Sequence, residues 1–351
     1  MSGGYNKSIY VPPEKVARDF GVSLDEIKAV IKKYPMRVTT HYYSLIEEVG
    51  DPIWKQCIPD IKELYDPYGE EDPLKEERDS PIPWLTHRYP DRLLMCVSNE
   101  CATYCRFCTR KRRIGDLCKI SDRVLIEQIN YVKEHREVRD VLISGGDPFM
   151  LPDEHLEFIL SKLRKIEHVE ILRIGTRIPC TLPSRVTEKL VNMLKKYHPL
   201  YVNIHFNHPR EVNEESARAC GLLADAGIPL GSQTVLLRGV NDDPSTMKLL
   251  MQKLLTIRVR PYYLFQADPV KGTYHFRTTV EQGLKIMQEL IGHTSGLAIP
   301  HYVIDAPGGG GKVPILPNYL ESISKEKVVI RNYQGKLFEY IQPQLDSELQ
   351  P

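Results

Sequence analysis

Cys101-Ala-Thr-Tyr-Cys105-Arg-Phe-Cys108 is the stretch on which the reading of this chain turns. Three thiols in a C-x3-C-x2-C spacing follow directly on an apolar run, Leu93-Leu-Met-Cys-Val97. The run reads as a strand and the thiols as the loop leaving its end. Clustered thiolates suit a soft metal centre, and an iron–sulfur cluster ordinarily takes four cysteine ligands. With three, one iron keeps a site open to a small molecule. A structural zinc site needs a fourth ligand, and the chain has no second C-x2-C pair and no H-x3-H pair. Unconnected core cysteines seldom fall into this spacing beside Tyr104, Phe107 and a strand, so the functional reading is favoured.

Outward from this loop, apolar runs alternate with helical patterns. The candidate strands are Arg92–Val97, Val138–Ser144, Glu170–Gly175, Leu200–Phe206, Leu230–Leu237 and Arg260–Gln266, with helical patterns at about 121–135, 153–165, 186–197, 212–226, 244–256 and 279–291. Six strand–helix units in series predict an α/β protein with a parallel sheet and right-handed crossovers. Periodicity alone does not separate a barrel from a doubly wound sheet. Residues 1–86 are polar and punctuated by proline. They contain a helix opened by Ser23 with Glu26 three residues on, then an Asp/Glu/Pro-rich collar from Gly50 to Pro83. After residue 300 come a short strand, a glycine run and a hairpin pattern over Lys327–Tyr340. The expected division is a helical arm over 1–86, a barrel over 87–300 and a C-terminal segment over 301–351.

Composition narrows the function classes. The 351 residues carry a formal net charge of +1, which gives no global electrostatic case for nucleic acid or an anionic membrane. The basic run Arg110-Lys-Arg-Arg113 is too short for a nucleic-acid footprint. No apolar run approaches membrane-spanning length, and Met1-Ser-Gly-Gly lacks a signal-peptide core. Eight cysteines, three of them in a metal-type cluster, fit a reducing cytoplasm better than a disulfide framework. Cys57, Cys96, Cys118, Cys180 and Cys220 are scattered and read as small core or surface residues.

Four further motifs carry chemistry. In Ser144-Gly145-Gly146-Asp147 the glycines let backbone approach a ligand and Asp147 can accept from an ammonium, although alone the string is only a turn. Gly308-Gly-Gly-Gly311-Lys312 differs from a phosphate loop, because Val313 follows the lysine and Pro314 and Pro317 preclude a helix. It is either a linker or a closed loop that delivers Lys312 to a site. His87-Arg88-Tyr-Pro-Asp-Arg92 sets two guanidiniums before the first strand, and such forks suit phosphate. Asp268 and Asp305 are turn-capping residues if taken singly. Together in one pocket they would call for a cationic ligand.

The C-x3-C-x-aromatic-C string resembles the signature of radical S-adenosylmethionine enzymes, and Cys105-Arg-Phe-Cys-Thr-Arg-Lys-Arg-Arg113 is similar to the lysine 2,3-aminomutase branch. The resemblance runs from about Ile82 to about Asn332. It implies an open (β/α)6 partial barrel with active-site residues at the carboxyl ends of the strands. It also implies a 4Fe–4S cluster on Cys101, Cys105 and Cys108, whose unique iron chelates S-adenosylmethionine. Ser144, Gly145, Gly146 and Asp147 would hold the methionyl end, Arg173–Arg177 would line that pocket, and His205 would touch the cofactor while His208 stays structural. Lys312 would hold pyridoxal 5′-phosphate covalently, with Arg88 and Arg92 clamping the phosphate and Gln233 a further contact. Arg110 would pair with the amino-acid carboxylate, and Asp268 and Asp305 with a side-chain ammonium.

The activity so implied is 2,3-amino migration, which turns L-lysine into L-β-lysine, fed by an electron donor such as flavodoxin or ferredoxin in a homo-oligomer. Three departures stand out. No cysteine follows Cys220 and Asp243 stands where a further zinc ligand is expected, so a zinc-linked assembly is not expected. Phe265 takes a position where tyrosine is common. Arginine, ornithine, glutamate or a protein-bound lysine remain open as substrates. A non-catalytic iron–sulfur electron carrier is the reading from another class, which Lys312 and its phosphate clamp argue against.

Overall fold

A computed structural model describes residues 9–115 and 120–343; Cys118 lies outside them. Nine strands pair in sequence order into one sheet: β1 (Leu85–Tyr89), β2 (Arg92–Ser98), β3 (Asp140–Gly145), β4 (Ile171–Thr176), β5 (Leu200–His205), β6 (Leu230–Leu236), β7 (Arg260–Gln266), β8 (His301–Ala306) and β9 (Gly311–Pro314). Strands β2 to β8 run parallel, and β1 and β9 are antiparallel additions at the two edges. The protein is thus an open partial barrel. The six strands anticipated from the sequence are all present, and the short strand after residue 300 is a seventh parallel member that extends the same sheet.

Helices Asp122–Glu134, Asp153–Arg164, Glu188–Leu194, Glu214–Asp225, Pro244–Thr256 and Val280–Leu290 cover the outside. Most are opened by a side chain that accepts from the first turn: Ser121, Thr187, Asn213, Asp243 and Thr279. Asp243 is therefore an N-cap, with its carboxylate accepting from Thr246 N and Ser245 Oγ.

The period of two along each strand divides the sheet's two faces. Val141, Ile143, Leu172, Ile174, Val202, Ile204 and Leu264 are fully buried against helix residues such as Leu125, Leu156, Leu190, Leu223 and Leu250. Each such side chain contributes about 1.5–3 kcal/mol on burial. The alternate set, Asp140, Leu142 and Ser144 on β3, Arg173 and Gly175 on β4, Asn203 and His205 on β5, Gln233 and Val235 on β6, and Tyr263 and Phe265 on β7, faces the barrel interior. That interior is polar and hollow, whereas a closed barrel of this kind fills its centre with branched apolar residues.

The edges β1 and β9 do not pair with each other. Between them the Lys312 amide donates to Tyr89 Oη at 2.9 Å, and the arm adds Gly308 N–H to Pro73 O. Between Glu63 and Glu77 the arm is tied to the cluster loop and its continuation by ion pairs. Buried Glu63 takes Arg106 at 2.6 Å and Lys111 at 2.5 Å, both from the cluster loop and its continuation. Glu76, Glu77 and Asp72 pair with Arg110, Arg113 and Arg112 respectively. The basic run 110–113 is thereby neutralised within the fold. Strands β10 (Leu320–Ile323), β11 (Lys327–Arg331) and β12 (Leu337–Ile341) form a separate antiparallel sheet that includes the anticipated hairpin.

Candidate active site

The cysteine loop leaves β2 and turns back over the ends of β3 and β4. Its approach depends on two glycines: a Cβ on Gly145 would lie 2.2 Å from Ser98 O, and one on Gly146 would lie 2.3 Å from Glu100 O. Gly145 also sits at φ +134°, where side chains are rarely accommodated. Gly146 N and Asp147 N donate to Ser98 O and Glu100 O, at 2.5 and 2.7 Å. The sequence suggests that these glycines make room for a ligand; they also admit the backbone that leads into the cysteines.

Cys101, Cys105 and Cys108 are unpaired, half-buried and line one cavity of about 680 Å³. Their sulfurs are not gathered for a single ion. Among the described residues only His87, His135 and Glu137 bring three ligand atoms within 4.8 Å of one another. Three thiols that face one space at wider separation fit a multinuclear cluster better than a zinc ion, whose short Zn–S bonds draw its ligands together. The thiols feel each other electrostatically: burial first, and then the neighbouring acids, raise Cys101, and burial followed by Cys105 pushes Cys108 up to about 11. A bound metal would supply the positive charge these thiolates need.

At the other end of the cavity, Lys312 on β9 sits opposite Asp305 on β8, and its Nζ lies 3.0 and 3.2 Å from the two carboxylate oxygens. The four-glycine run is the tight turn between these strands, with positive φ at Gly308, Gly309 and Gly311. The lysine ammonium also lies 5.3 Å from the centroid of the Phe265 ring. Asp268, just past β7, lines the same wall. Burial first, and then the charge of Asp305, pushes its carboxyl up to about 7. Arg88 and Arg92 face in from β1 and β2: Arg88 is held by Asp79 at 2.8 Å and by Leu74 O, and the Arg92 guanidinium stacks over Tyr89 at 3.9 Å. Gln233 lines the wall beside them. Two guanidiniums and a lysine around one space suit a phosphorylated aldehyde, with the guanidiniums on the phosphate and the amine on the carbonyl carbon.

Arg110 is engaged by Glu76 through Nε and Nη2 at 3.1 and 2.7 Å, and both residues line the cavity. This fork fixes the guanidinium plane and leaves its remaining N–H groups for a second carboxylate. His205 stacks on Phe107 with centroids 5.4 Å apart and shares a hydrogen bond with Asn207. Burial, then the charge of Arg177, pushes it down to about 3, so the ring is neutral. Asp147 is occupied on both oxygens, by Phe149 N and Thr176 Oγ1 on one and Arg177 N on the other. It caps a turn and ties two strand ends together. His208 Nδ1 accepts from Arg210 N, a capping role.

All fifteen residues singled out from the sequence line this one cavity. The residues missed are Glu76, Tyr89, Asn203 and, most consequentially, Arg177 as an individual side chain. Arg173 and Gly175 alternate along β4 with Arg177 just past its end, and that polar period-two spacing is a signal of an inward, solvated face. The partners Glu76 and Tyr89 carry no such pattern.

Residues 95–250 match the family model of the radical SAM superfamily, and residues 287–349 match the model described as lysine-2,3-aminomutase. The fold and the three-thiol cavity are thus those of a radical S-adenosylmethionine enzyme. The chain is 51% identical over 333 residues to the L-lysine 2,3-aminomutase of Methanococcus maripaludis, covering 92% of this chain and 77% of that protein. It is 53% identical over 320 residues to that of Clostridium subterminale, covering 89% and 76%. It is also 50% identical over 314 residues to the glutamate 2,3-aminomutase of Clostridioides difficile, covering 89% and 74%. The chain belongs to the lysine 2,3-aminomutase family, isomerases whose cofactors are a 4Fe–4S cluster, S-adenosylmethionine and pyridoxal 5′-phosphate. No helix among the described residues is long and apolar enough to cross a membrane.

Proposed function

We propose that the protein exchanges the α-amino group of L-lysine with a hydrogen on C3 to give L-β-lysine. Identity does not decide the substrate, since relatives named for lysine and for glutamate stand at 51% and 50%. The observation that carries the reading is the pair Asp268 and Asp305 at one end of the cavity. Burial first, and then the charge of Asp305, favours the protonated form of Asp268. The Lys312 ammonium is the cation on Asp305 in this structure. Once that amine is engaged by the cofactor, Asp305 is left with an unpaired charge, and a substrate ammonium is the group that satisfies both acids. An anionic side chain would meet repulsion there.

In this reading the cluster and S-adenosylmethionine supply hydrogen abstraction, and pyridoxal phosphate supplies the group on which the migrating nitrogen is carried. The protein binds and orients. Cys101, Cys105 and Cys108 hold the cluster, while Ser144, Gly145, Gly146 and neutral His205 shape the S-adenosylmethionine pocket beside it. Asp147 supports that pocket from behind. Lys312, Arg88, Arg92 and Gln233 hold pyridoxal phosphate. Arg110, fixed by Glu76, takes the substrate carboxylate on its free edge, which sets C3 facing the cluster end. We further assign the work to the cytoplasm, with a flavodoxin- or ferredoxin-type donor and a homo-oligomer. The test is an anaerobic, reduced assay of the cofactor-loaded enzyme on lysine, arginine, ornithine and glutamate. Formation of β-lysine in preference to the other products supports the reading, and preference for glutamate overturns it.

A further inference from the structure

Arg177 is a buried cation that the reaction, as described so far, does not use. It follows β4, is nearly fully buried, and donates Nη1–H to Cys105 Sγ at 2.8 Å. Its Nη2 donates to Glu211 Oε1 at 2.8 Å, Gln56 Oε1 at 2.6 Å and Tyr42 Oη at 2.9 Å. Glu211 is itself fully buried and also accepts from Tyr42 Oη and from the backbone of Asn207 and His208. The guanidinium lies 5.1 Å from the Tyr42 ring centroid and 5.3 Å from that of Phe107. Its Nε–H, also buried, has no partner among the described residues. One donor of the guanidinium thus reaches a cysteine sulfur.

We propose that Arg177 is a positioning residue for the iron–sulfur cluster, donating to the Cys105 thiolate and raising the reduction potential of the cluster. This deepens, and rests on, the radical S-adenosylmethionine reading of the same site. One-electron reduction by an external low-potential donor adds a negative charge to the cluster and breaks no bond. A fixed cation and a charge-assisted hydrogen bond at one thiolate stabilise that added charge more than the oxidised form. Glu211 works in the opposite sense: it anchors the guanidinium and offsets part of its field. Because Tyr42 and Gln56 belong to the N-terminal arm, the arm sets where the charge sits. A purely structural Arg177 would hold arm to barrel and leave the potential alone.

The experiment is a potentiometric titration of the anaerobically reconstituted holoenzyme, followed by the electron paramagnetic resonance of the reduced cluster. Arg177→Gln should lower the reduced-to-oxidised ratio at a fixed potential by about tenfold, a downward shift of about 59 mV for one electron. Glu211→Gln should shift it upward, and Arg177→Lys should fall between Arg177→Gln and the unmutated protein. If Arg177→Gln does not load a cluster, the upward shift in Glu211→Gln decides alone. A folded, cluster-loaded Arg177→Gln protein with unchanged potential overturns the proposal, as does a Glu211→Gln protein whose potential is unchanged or lower. Iron and sulfide analysis keeps the two layers apart: an unmutated protein that takes up no cluster defeats the underlying reading, whereas loaded variants with unmoved potentials defeat only the role of Arg177.

Discussion

Replacing Asp305 by asparagine tests the substrate pocket most directly. The carboxylate is nearly buried and meets the Lys312 ammonium through both oxygens, at 3.0 and 3.2 Å. Asparagine keeps the shape and removes the charge. Truncating one partner of a buried, hydrogen-bonded charge pair costs about 2–5 kcal/mol. At about 1.4 kcal/mol per factor of ten, kcat/KM for lysine should fall roughly 30- to 4,000-fold. The loss must depend on the substrate's ammonium. With 2-aminohexanoic acid, the same skeleton without the terminal amine, the variant and the unmutated enzyme should differ far less. The assay is steady-state kinetics on both compounds, anaerobic and cofactor-loaded. Equal losses on the two compounds would assign Asp305 only to the placement of Lys312, and an unchanged rate on lysine would remove it from the site.

Three further outcomes are expected. Cys105→Ala should fold but bind no complete cluster and leave S-adenosylmethionine uncleaved; normal iron content with normal cleavage would refute the ligand assignment. Borohydride reduction of the pyridoxal-loaded protein should fix the label on Lys312, with Lys312→Ala unlabelled but retaining its cluster, and peptide mapping to another lysine would refute this. Asp268, with its folded pKa of about 7 lying above the ordinary 3.8, stabilises the fold at low pH, and that contribution is lost as pH rises through about 7. Lysine binding therefore releases a proton, and KM for lysine should fall between about pH 6 and 8; Asp268→Asn should abolish that slope, which parallel pH profiles of KM would check.

Much of this was legible in the chain itself. The sequence bounds of β7 match to the residue and those of β2 to β6 within about two, because each of these strands carries an apolar alternate set that only one face of a sheet can use; the edge strands β1 and β9 carry no such signal. The cysteine loop and Lys312 were legible because chemistry concentrates there within a few residues. Less visible was how the polar alternate set, from Arg173 to Gln233, opens the barrel centre into a cavity. The bonds of Arg177 to Tyr42 and Gln56, and of Arg110 to Glu76, join residues separated by 135, 121 and 34 positions. No local pattern encodes such pairs, because each is set by the packing of the arm on the barrel. The occupation of Asp147 by its own neighbours was hidden for the same reason, and its identity alone suggested a free acceptor.

The pairing of arm acids with barrel bases has a consequence for how the protein is made. Glu63, Asp72, Glu76 and Asp79 leave the ribosome before Arg88, Arg106, Arg110, Lys111 and Arg112, and they have no barrel to meet until those cations follow. Neither side can bury its charges alone, since an isolated buried ion costs several kcal/mol. The arm is therefore a strap whose fit completes the cluster loop. A chain begun at residue 87 would retain Cys101, Cys105, Cys108 and Lys312 and still expose a cationic, unbraced loop around the three thiols.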